Sequence, residues 1–146
     1  MPRPDAGYVQ HAEDAEVLRF GDVTILVRAT GETTGGAYTL IEEVDPVDTP
    51  LHAHANEDEL FYVVEGEHVI RCGDEEHQVG PGGFVFCPRG VPHSQRRVVP
   101  RTGRELVLLS PPGFEGFFRE LAAADRAGTL GPRRTPRRRR ATGSSG

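Results

Sequence analysis

The chain has no apolar run that approaches the roughly 18 residues needed to cross a membrane, although it is 146 residues long. Its first residues, Met-Pro-Arg-Pro-Asp-Ala-Gly, also lack the apolar segment of a secretory signal. A membrane partner is therefore not expected, and the sequence predicts a cytoplasmic protein. The length is sufficient for one domain with a substantial hydrophobic core.

Tryptophan and lysine are absent, and cysteine occurs only twice. Cys72 and Cys87 fall on separate predicted strands, where the cysteines of a cytoplasmic chain are usually reduced residues that pack in the interior. A fold stabilised by disulfides is therefore not expected. Cys87 lies beside the second histidine motif described below, which leaves open a supporting or oxidisable role for this thiol.

Positive charge is scarce outside the C-terminus. All 17 basic residues are arginine, and six of them lie between Arg133 and Arg140. Residues 1–132 hold 11 arginines against 22 acidic residues, a net charge of −11, so this part is not expected to bind nucleic acid or anionic lipid. For residues 128–146 we predict a disordered tail. The alternatives are a polybasic arm for nucleic acid or an acidic partner, or a C-terminus altered by truncation or frameshift.

Glycine and proline are plentiful, at 18 and 12 residues, and they separate short runs that are rich in β-branched and aromatic residues. Such runs predict strands, and Gly-Asp pairs at 21–22 and 73–74 predict hairpin turns. A polar, glycine-rich stretch at 30–36 predicts a loop. Short strands at regular intervals predict an all-β barrel or sandwich. The predicted strands span 16–20, 23–29, 37–44, 60–64, 68–72, 75–79, 84–87, 93–99 and 105–110, with one more around His52.

The last predicted element is an amphipathic helix. Phe114, Phe117, Phe118 and Leu121 recur at the i, i+3, i+4, i+7 spacing of one helical face, and the pattern runs to about Arg126. We favour a helix that covers one end of the barrel over a helix that binds a partner. The chain then divides into an N-terminal arm, a barrel with its C-terminal helix, and an arginine-rich tail, at residues 1–14, 15–127 and 128–146.

Two histidines one residue apart, His52 and His54, lie near the centre of the sequence. Alternate side chains of a strand share a face, with Cα atoms roughly 6.6 Å apart. The two imidazoles can therefore bind one ion, each at about 2.0–2.1 Å. Glu59 follows at the start of an apolar strand, and His93 follows a later turn rich in proline and glycine. Three imidazoles and one carboxylate on neighbouring strands form a complete ligand set for a divalent transition metal.

Other residues of the same types compete for this role. Glu57 and Asp58 directly precede Glu59, but we expect them in a loop that faces solvent, whereas Glu59 begins the strand. The alternative to a metal site is a set of hydrogen-bonded core histidines. Three further histidines are predicted to be exposed and without a function, namely His11, His68 and His77.

The histidine pair belongs to a longer pattern that resembles the first signature motif of the cupin superfamily, Gly-x5-His-x-His-x3,4-Glu-x6-Gly. His52, His54, Glu59 and Gly66 match this motif, while Pro46 stands where its first glycine is expected. The resemblance implies that the three charged or imidazole side chains are metal ligands. The proline affects a turn and not the site.

A second stretch resembles the other cupin motif, Gly-x5-Pro-x-Gly-x2-His-x3-Asn. Gly82, Pro88, Gly90 and His93 match it, and Arg97 stands where the final asparagine is expected. The two motifs occur in the right order and at the right separation. The resemblance covers roughly residues 15 to 121, and it implies a double-stranded β-helix, or jelly-roll, barrel in which this histidine is the fourth ligand.

Side-chain alternation predicts a mostly apolar and aromatic pocket around the ion, as is usual for small-molecule sites. Gln95 and Arg97 face inward by alternation from the third histidine, and in the strand 84–87 either the two phenylalanines or Val85 and Cys87 face inward. Arg97 either clamps a carboxylate or phenolate of the substrate or, as we favour, pairs with an acidic residue at the barrel rim. The predicted pocket residues are Phe61, Val63, Phe86, Gln95 and Arg97.

The strand 58–66 and the segment 111–121 further resemble the quercetin 2,3-dioxygenase-like group of cupins. That resemblance implies an oxygenase that uses one divalent transition metal (Fe, Mn, Ni, Cu, Co or Zn) on an enolisable or phenolic substrate, with Glu59 as the catalytic base. The alternatives are a metal-assisted isomerase or polyketide-cyclase-like cupin, and a non-enzymatic cupin that binds a small ligand. Enzyme activity is thus left open, and the resemblance also implies a homodimer.

Overall fold

The computed structural model describes residues 7–100 and 102–129. Within them lie ten β-strands, two α-helices and a short 3-10 helix at Ala12–Asp14, and no helix is long and apolar enough to cross a bilayer. The helices are α1 (Gly31–Thr34) and α2 (Glu115–Arg126). In chain order the strands are β1 (Glu16–Phe20), β2 (Val23–Ala29), β3 (Thr39–Val44), β4 (Thr49–His52), β5 (Asp58–Glu65), β6 (His68–Cys72), β7 (Glu75–Val79), β8 (Phe84–Cys87), β9 (His93–Arg97) and β10 (Arg104–Ser110).

The strands form two antiparallel sheets that pack face to face. One sheet has six strands in the order β1-β2-β3-β10-β5-β8, and the other has four strands in the order β4-β9-β6-β7. Strands that are distant in sequence lie side by side, because β10 pairs with both β3 and β5. This architecture confirms the predicted all-β jelly-roll barrel with a C-terminal helix.

Burial follows the two-residue period of the strands. In β10, Glu105, Val107 and Leu109 are buried, while the residues between them are partly exposed. Phe61 and Val63 hold the same inward position in β5. The core therefore forms from alternate residues of both sheets, together with one residue of α2. Its buried members are Leu18, Ile25, Val27, Ile41, Phe61, Ile70, Cys87, Val107, Leu109 and Ala122.

Helix α2 packs against β1 at the edge of the six-stranded sheet. The ring of Phe118 stacks on Phe20 with a centroid separation of 6.0 Å, and the Arg119 guanidinium pairs with the Glu16 carboxylate at 2.7 Å. The observed helix ends at Arg126, as predicted. Phe117 remains 49% exposed, so the buried face is narrower than the apolar pattern indicated.

Two local predictions were wrong. The stretch at 30–36, predicted as a loop, contains helix α1, because the Thr30 side chain accepts a hydrogen bond from the backbone N–H of Thr33 and Gly35 ends the helix at a φ of 67°. A single helical turn has no apolar face, so its periodicity cannot be read from sequence. Strand β9 ends at Arg97, two residues earlier than predicted.

The described part of the predicted N-terminal arm, residues 7–14, lies along β2. The Tyr8 hydroxyl donates to the Arg28 carbonyl oxygen at 2.8 Å, and the Arg28 guanidinium donates to Gln10 Oε1 at 2.8 Å. The arm is therefore held by side chains rather than by strand pairing. Residues 130–146, which hold nearly all of the predicted arginine-rich tail, lie outside the described residues.

Candidate metal centre

Four potential ligands meet between the two sheets at one end of the barrel. His52 ends β4 and lies opposite His93, the first residue of β9, in the four-stranded sheet. Glu59 approaches from β5 in the six-stranded sheet, and His54 lies just beyond the end of β4. The two histidines of the His-x-His pair thus do not share one regular strand as predicted, but their rings still converge, at 5.2 Å between centroids.

The distances within this group suit a single ion. One ligand atom from each of the four residues lies within 4.8 Å of all the others. Glu59 Oε1 is 3.1 Å from His54 Nε2 and 2.9 Å from His93 Nε2. Within the part of the chain that the structure describes, this is the one such group of three or more histidine, cysteine or acidic residues.

Backbone carbonyl groups determine which imidazole nitrogen is free. Nδ1 of His52 lies 2.7 Å from the Pro50 carbonyl oxygen, and Nδ1 of His93 lies 3.3 Å from that of Val91. A carbonyl oxygen can only accept, so each Nδ1 carries the proton and each Nε2 keeps its lone pair. That tautomer is the one in which Nε2 can bind a metal.

The competing carboxylates lie where they cannot replace Glu59. Glu57 Oε1 is 3.8 Å from Nδ1 of His54, on the side of the ring away from the other ligands. Asp58 accepts hydrogen bonds from the backbone and the guanidinium of Arg89, at 2.9–3.2 Å. Glu57 therefore lies behind the His54 ring rather than among the ligands, and Asp58 ties the start of β5 to the turn before β9.

The electrostatics of the group also fit a cation. Glu59 Oε1 and His93 Nε2 are both buried and lack a hydrogen-bond partner, although they face each other at 2.9 Å. Two acceptors at this distance repel unless a proton or a cation lies near both. Three imidazole nitrogens and one carboxylate oxygen are a donor set that suits divalent transition metals. The residues present therefore fit such an ion.

The pKa values of the ligands reflect this mutual contact. Burial alone would raise the pKa of Glu59. When no ion is bound and His54 and His93 are protonated on Nε2, their hydrogen bonds and positive charge outweigh burial and lower it to about 2. Burial lowers the pKa of His52, whereas the hydrogen bond to Glu59 raises that of His54. Glu59 is therefore a carboxylate at neutral pH, as a metal ligand must be.

Aromatic side chains line two sides of the centre. The Phe114 ring, at the start of α2, meets the His54 ring edge to face at a centroid distance of 4.7 Å. Phe61 lies 5.9 Å from His93 in a similar arrangement. The centre thus has one apolar wall on the barrel side and another on the helix side. The sequence analysis placed Phe114 on the helix but not among the residues around the metal.

The predicted pocket residues of β5 and β8 lie on opposite faces. Phe61 and Val63 face the interior and are 3% and 0% exposed. Phe86 is 49% exposed on the outer face, so its predicted position in the pocket was wrong. Because Glu59 lies opposite Cys87 in the β5–β8 pairing, Cys87 shares the inward face and Phe86 cannot.

Gln95 and Arg97 face inward but continue into the barrel, away from the four ligands. The Gln95 amide donates to Glu105 at 2.6 Å. Arg97 is buried, and its Nε and Nη1 groups have no hydrogen-bond partner. Its positive charge acts on Glu43, so Arg97 interacts with an acidic residue as we favoured, but in the barrel interior and not at the rim.

A polar cluster farther along the barrel, away from the four ligands, was not foreseen. His68, predicted to be exposed, is fully buried, with Nδ1 3.5 Å from Glu105 Oε1. Burial, followed by the nearby Glu105 carboxylate, raises the pKa of Glu43 well above its usual value. The signal in the sequence was the alternation in β6, which puts His68 on the same face as buried Ile70.

Comparisons with known proteins agree with this geometry. Residues 40–102 match the family model of the cupin domain. That stretch contains all four potential ligands, so the site lies in a part of the chain that is similar to the cupin domain. The chain is 27% identical over 104 residues to the quercetin 2,3-dioxygenase of Bacillus subtilis (strain 168), an alignment that covers 70% of this chain and 31% of that enzyme. It spans 31% to 52% of the length of the curated relatives that it matches.

Two solved structures share the fold. KdgF from Halomonas sp. superposes with a TM-score of 0.64 at 15% identity, covering 75% of this chain and 99% of that one. An RmlC-like cupin from Shewanella frigidimarina NCIMB 400 superposes with a TM-score of 0.62 at 20% identity, covering 77% of this chain and 96% of that one. At these identities the similarity establishes the architecture alone.

Proposed function

We propose that the chain is a metal-dependent, dioxygenase-type oxidoreductase that acts on an enolisable or phenolic small molecule. The observation that carries the proposal is the convergence of three imidazoles, each able to present Nε2, and one ionised carboxylate beside aromatic walls. The distant similarity to a quercetin 2,3-dioxygenase supports the reaction type.

His52, His54, Glu59 and His93 would hold one divalent ion of Fe, Mn, Ni, Cu, Co or Zn. The bound ion would supply Lewis-acid and redox chemistry to a substrate that reaches it. A structural zinc site is normally closed by four ligands, whereas an ion that also binds exogenous ligands would be catalytic.

When bound, the ion would lower the pKa of a substrate hydroxyl group. Glu59 is a carboxylate at neutral pH, and one of its oxygens would receive the hydroxyl proton. The three histidines remain ligands and keep their Nδ1 protons on backbone carbonyls or toward Glu57. Phe61 and Phe114 provide ring faces against which a planar substrate can pack.

The test begins with protein reconstituted with each metal in turn. Oxygen consumption is then measured with flavonols, catechols and β-diketones. We expect metal-dependent oxygen uptake, and a loss of at least about 100-fold in kcat for metal-loaded Glu59→Gln. Glu120→Gln, an exposed change on α2, is the matched control and should keep full activity.

The other outcomes identify the competing functions. Turnover without oxygen uptake would indicate an isomerase or cyclase, in which the ion acts only as a Lewis acid. Saturable binding of these compounds with no turnover would indicate a ligand-binding cupin. Full turnover by metal-loaded Glu59→Gln would remove Glu59 from the proton transfer.

We also propose that two copies of the chain pair through the outer face of β5 and β8. Tyr62, Phe84 and Phe86 are 42%, 59% and 49% exposed there, and Val64 is 38% exposed. Strand β8 is at the edge of its sheet, where unpaired backbone groups need cover. A patch of uncharged side chains can match a second copy of itself across a two-fold axis.

A further inference from the structure

Cys72 and Cys87 come from different sheets and meet beside the metal centre. Cys72 ends β6 in the four-stranded sheet, and Cys87 ends β8 in the six-stranded sheet. Both lie on the inward face, since Cys87 belongs to the core and Cys72 packs against it. They are thus the last inward residues of two strands that face each other across the barrel.

The two thiols lie close together. Sγ of Cys72 is 3.8 Å from the carbonyl oxygen of Phe86, the residue before Cys87, and Cys72 is near enough to raise the pKa of the Cys87 thiol, although burial is the larger cause. Both are free thiols in this structure. Two neighbouring interior thiols differ from two isolated packing cysteines, because a disulfide needs its two residues side by side.

The two cysteines differ in access to solvent. Cys72 is partly exposed, whereas Cys87 is 1% exposed. A small reagent in solution therefore reaches Cys72 first. Cys87 is then the nearest thiol to any oxidised form of Cys72, and its burial protects it from direct over-oxidation.

We propose that Cys72 and Cys87 form a reversible disulfide that links the two sheets beside the metal centre. A peroxide is the oxidant. The Cys72 sulfur attacks one peroxide oxygen, the O–O bond breaks, and sulfenic acid and water form. The Cys87 sulfur then displaces the hydroxyl group from Cys72 as a second water, so two thiols lose two electrons and two protons while the peroxide takes them up.

The position of the bond connects it to two of the four ligands. Cys72 lies opposite His93 in the β6–β9 pairing, and Cys87 lies opposite Glu59 in the β5–β8 pairing. The disulfide therefore joins the cross-strand neighbour of His93 in one sheet to the cross-strand neighbour of Glu59 in the other. It restrains the separation of the sheets at the point where the ligands meet.

Peptide mapping tests the bond directly. The metal-free chain is treated with one equivalent of hydrogen peroxide, and remaining thiols are blocked with iodoacetamide. Trypsin cuts after Arg71 and Arg89, so residues 72–89 form one peptide that contains both cysteines. We expect this peptide to be unalkylated and about 2 Da lighter than its reduced form, and to accept two blocking groups only after reduction. A further cut after Glu75 should give two fragments that separate only on reduction.

Single-cysteine variants provide the controls. In Cys87→Ser we expect Cys72 to accumulate as a sulfenic acid that dimedone traps, because the resolving thiol is gone. In Cys72→Ser we expect Cys87 to remain a thiol, because solvent does not reach it. The oxidised wild-type chain should keep its far-UV circular dichroism and gain about 5–10 °C in Tm, because the bond restricts the unfolded loop.

Three results would overturn the proposal. They are alkylation of both cysteines after peroxide treatment, a cross-linked pair of peptides with twice the mass, and a lower Tm of the oxidised chain. None of these depends on metal, so the bond and the proposed function fail separately. The restraint of the metal ligands by the disulfide rests on the proposed function. It predicts that EDTA removes metal more slowly from the oxidised chain than from the reduced chain. Equal rates of removal would disprove the restraint.

Discussion

At the scale of single residues, the centre depends on which imidazole nitrogen is free. His52 and His93 are fixed by backbone carbonyls, which no substitution of a side chain can remove. His54 differs, since its Nδ1 faces the carboxylate of Glu57 at 3.8 Å. A carboxylate behind a ligating imidazole orients the ring and increases its basicity.

We therefore predict that Glu57→Gln weakens metal binding while leaving all four ligands in place. The expected loss is about 10-fold in affinity, the lower end of the range for such supporting groups. Competition with a chromophoric chelator measures it, and Glu120→Gln serves as the control. Equal affinities of the two variants would show that Glu57 has no part in the centre.

The same scale shows what sequence could and could not predict. Motif spacing selected His52, His54, Glu59 and His93, because a ligand set needs fixed residue types at fixed intervals. It could not choose between Phe86 and Cys87, since both faces of β8 carry apolar side chains. Only the pairing with Glu59 determines which of them faces inward.

At the scale of secondary-structure elements, β3, β6, β9 and β10 each contribute a polar residue to the interior. Glu43, His68, Arg97 and Glu105 lie together there, and several of their nitrogen and oxygen atoms lack partners within the described residues. Sequence analysis predicted that His68 and His77, on the β6–β7 hairpin, are exposed. The burial of His68 was difficult to predict from the sequence because it has polar neighbours along the chain.

The raised pKa of Glu43 has a consequence for stability. An acid whose pKa is higher in the folded state binds its proton more tightly there, so its contribution is complete below the unfolded pKa of about 4.5. The contribution is lost as the pH rises from there through the folded pKa. The wild-type chain should therefore lose stability over this interval relative to a variant with no titratable group.

We predict that Glu43→Gln gains stability relative to wild type as the pH rises above about 4.5. Urea unfolding at a series of pH values measures the difference in free energy of unfolding. Glu120→Gln should show no such trend. Parallel profiles for wild type and Glu43→Gln would mean that Glu43 titrates normally in the folded chain.

Helix α2 acts on the centre through its first aromatic residue. Phe114 contacts the His54 ring and also packs against Phe118 and Phe117. We predict that Phe114→Ala lowers the free energy of unfolding by about 1–3 kcal/mol, less than for a fully buried phenylalanine, and speeds metal removal by EDTA. Phe117→Ala is the matched control, because Phe117 is 49% exposed and has no ring contact with His54. Equal rates of metal removal from Phe114→Ala and Phe117→Ala would show that the helix does not stabilise the metal centre.

At the scale of the whole molecule, the exposed aromatic patch on β5 and β8 predicts a dimer. Light scattering after gel filtration should give about twice the chain mass of 15.9 kDa for wild type. Phe84→Asp should give the mass of one chain, because it would bury a charge in the interface. Val9→Asp, at a residue 82% exposed elsewhere, should remain dimeric. A monomeric wild type would contradict the proposed pairing.

The order of strands could not be read from local patterns. Hydrophobic alternation located most strands within a residue or two, because each strand has one buried face. The position of β10 between β3 and β5 joins residues far apart in sequence, and only the resemblance to cupins implied that arrangement. Helix α1 was missed because one turn closed by Thr30 and Gly35 has no periodicity.

The central claim is that His52, His54, Glu59 and His93 bind one divalent transition-metal ion. Elemental analysis after dialysis against such ions tests it most directly, on the wild-type chain and on His93→Ala. We predict about one ion per wild-type chain and almost none in the variant, whose three remaining ligands would no longer enclose the ion. A wild-type chain that stays metal-free, or a variant that binds as much metal as wild type, would contradict the account.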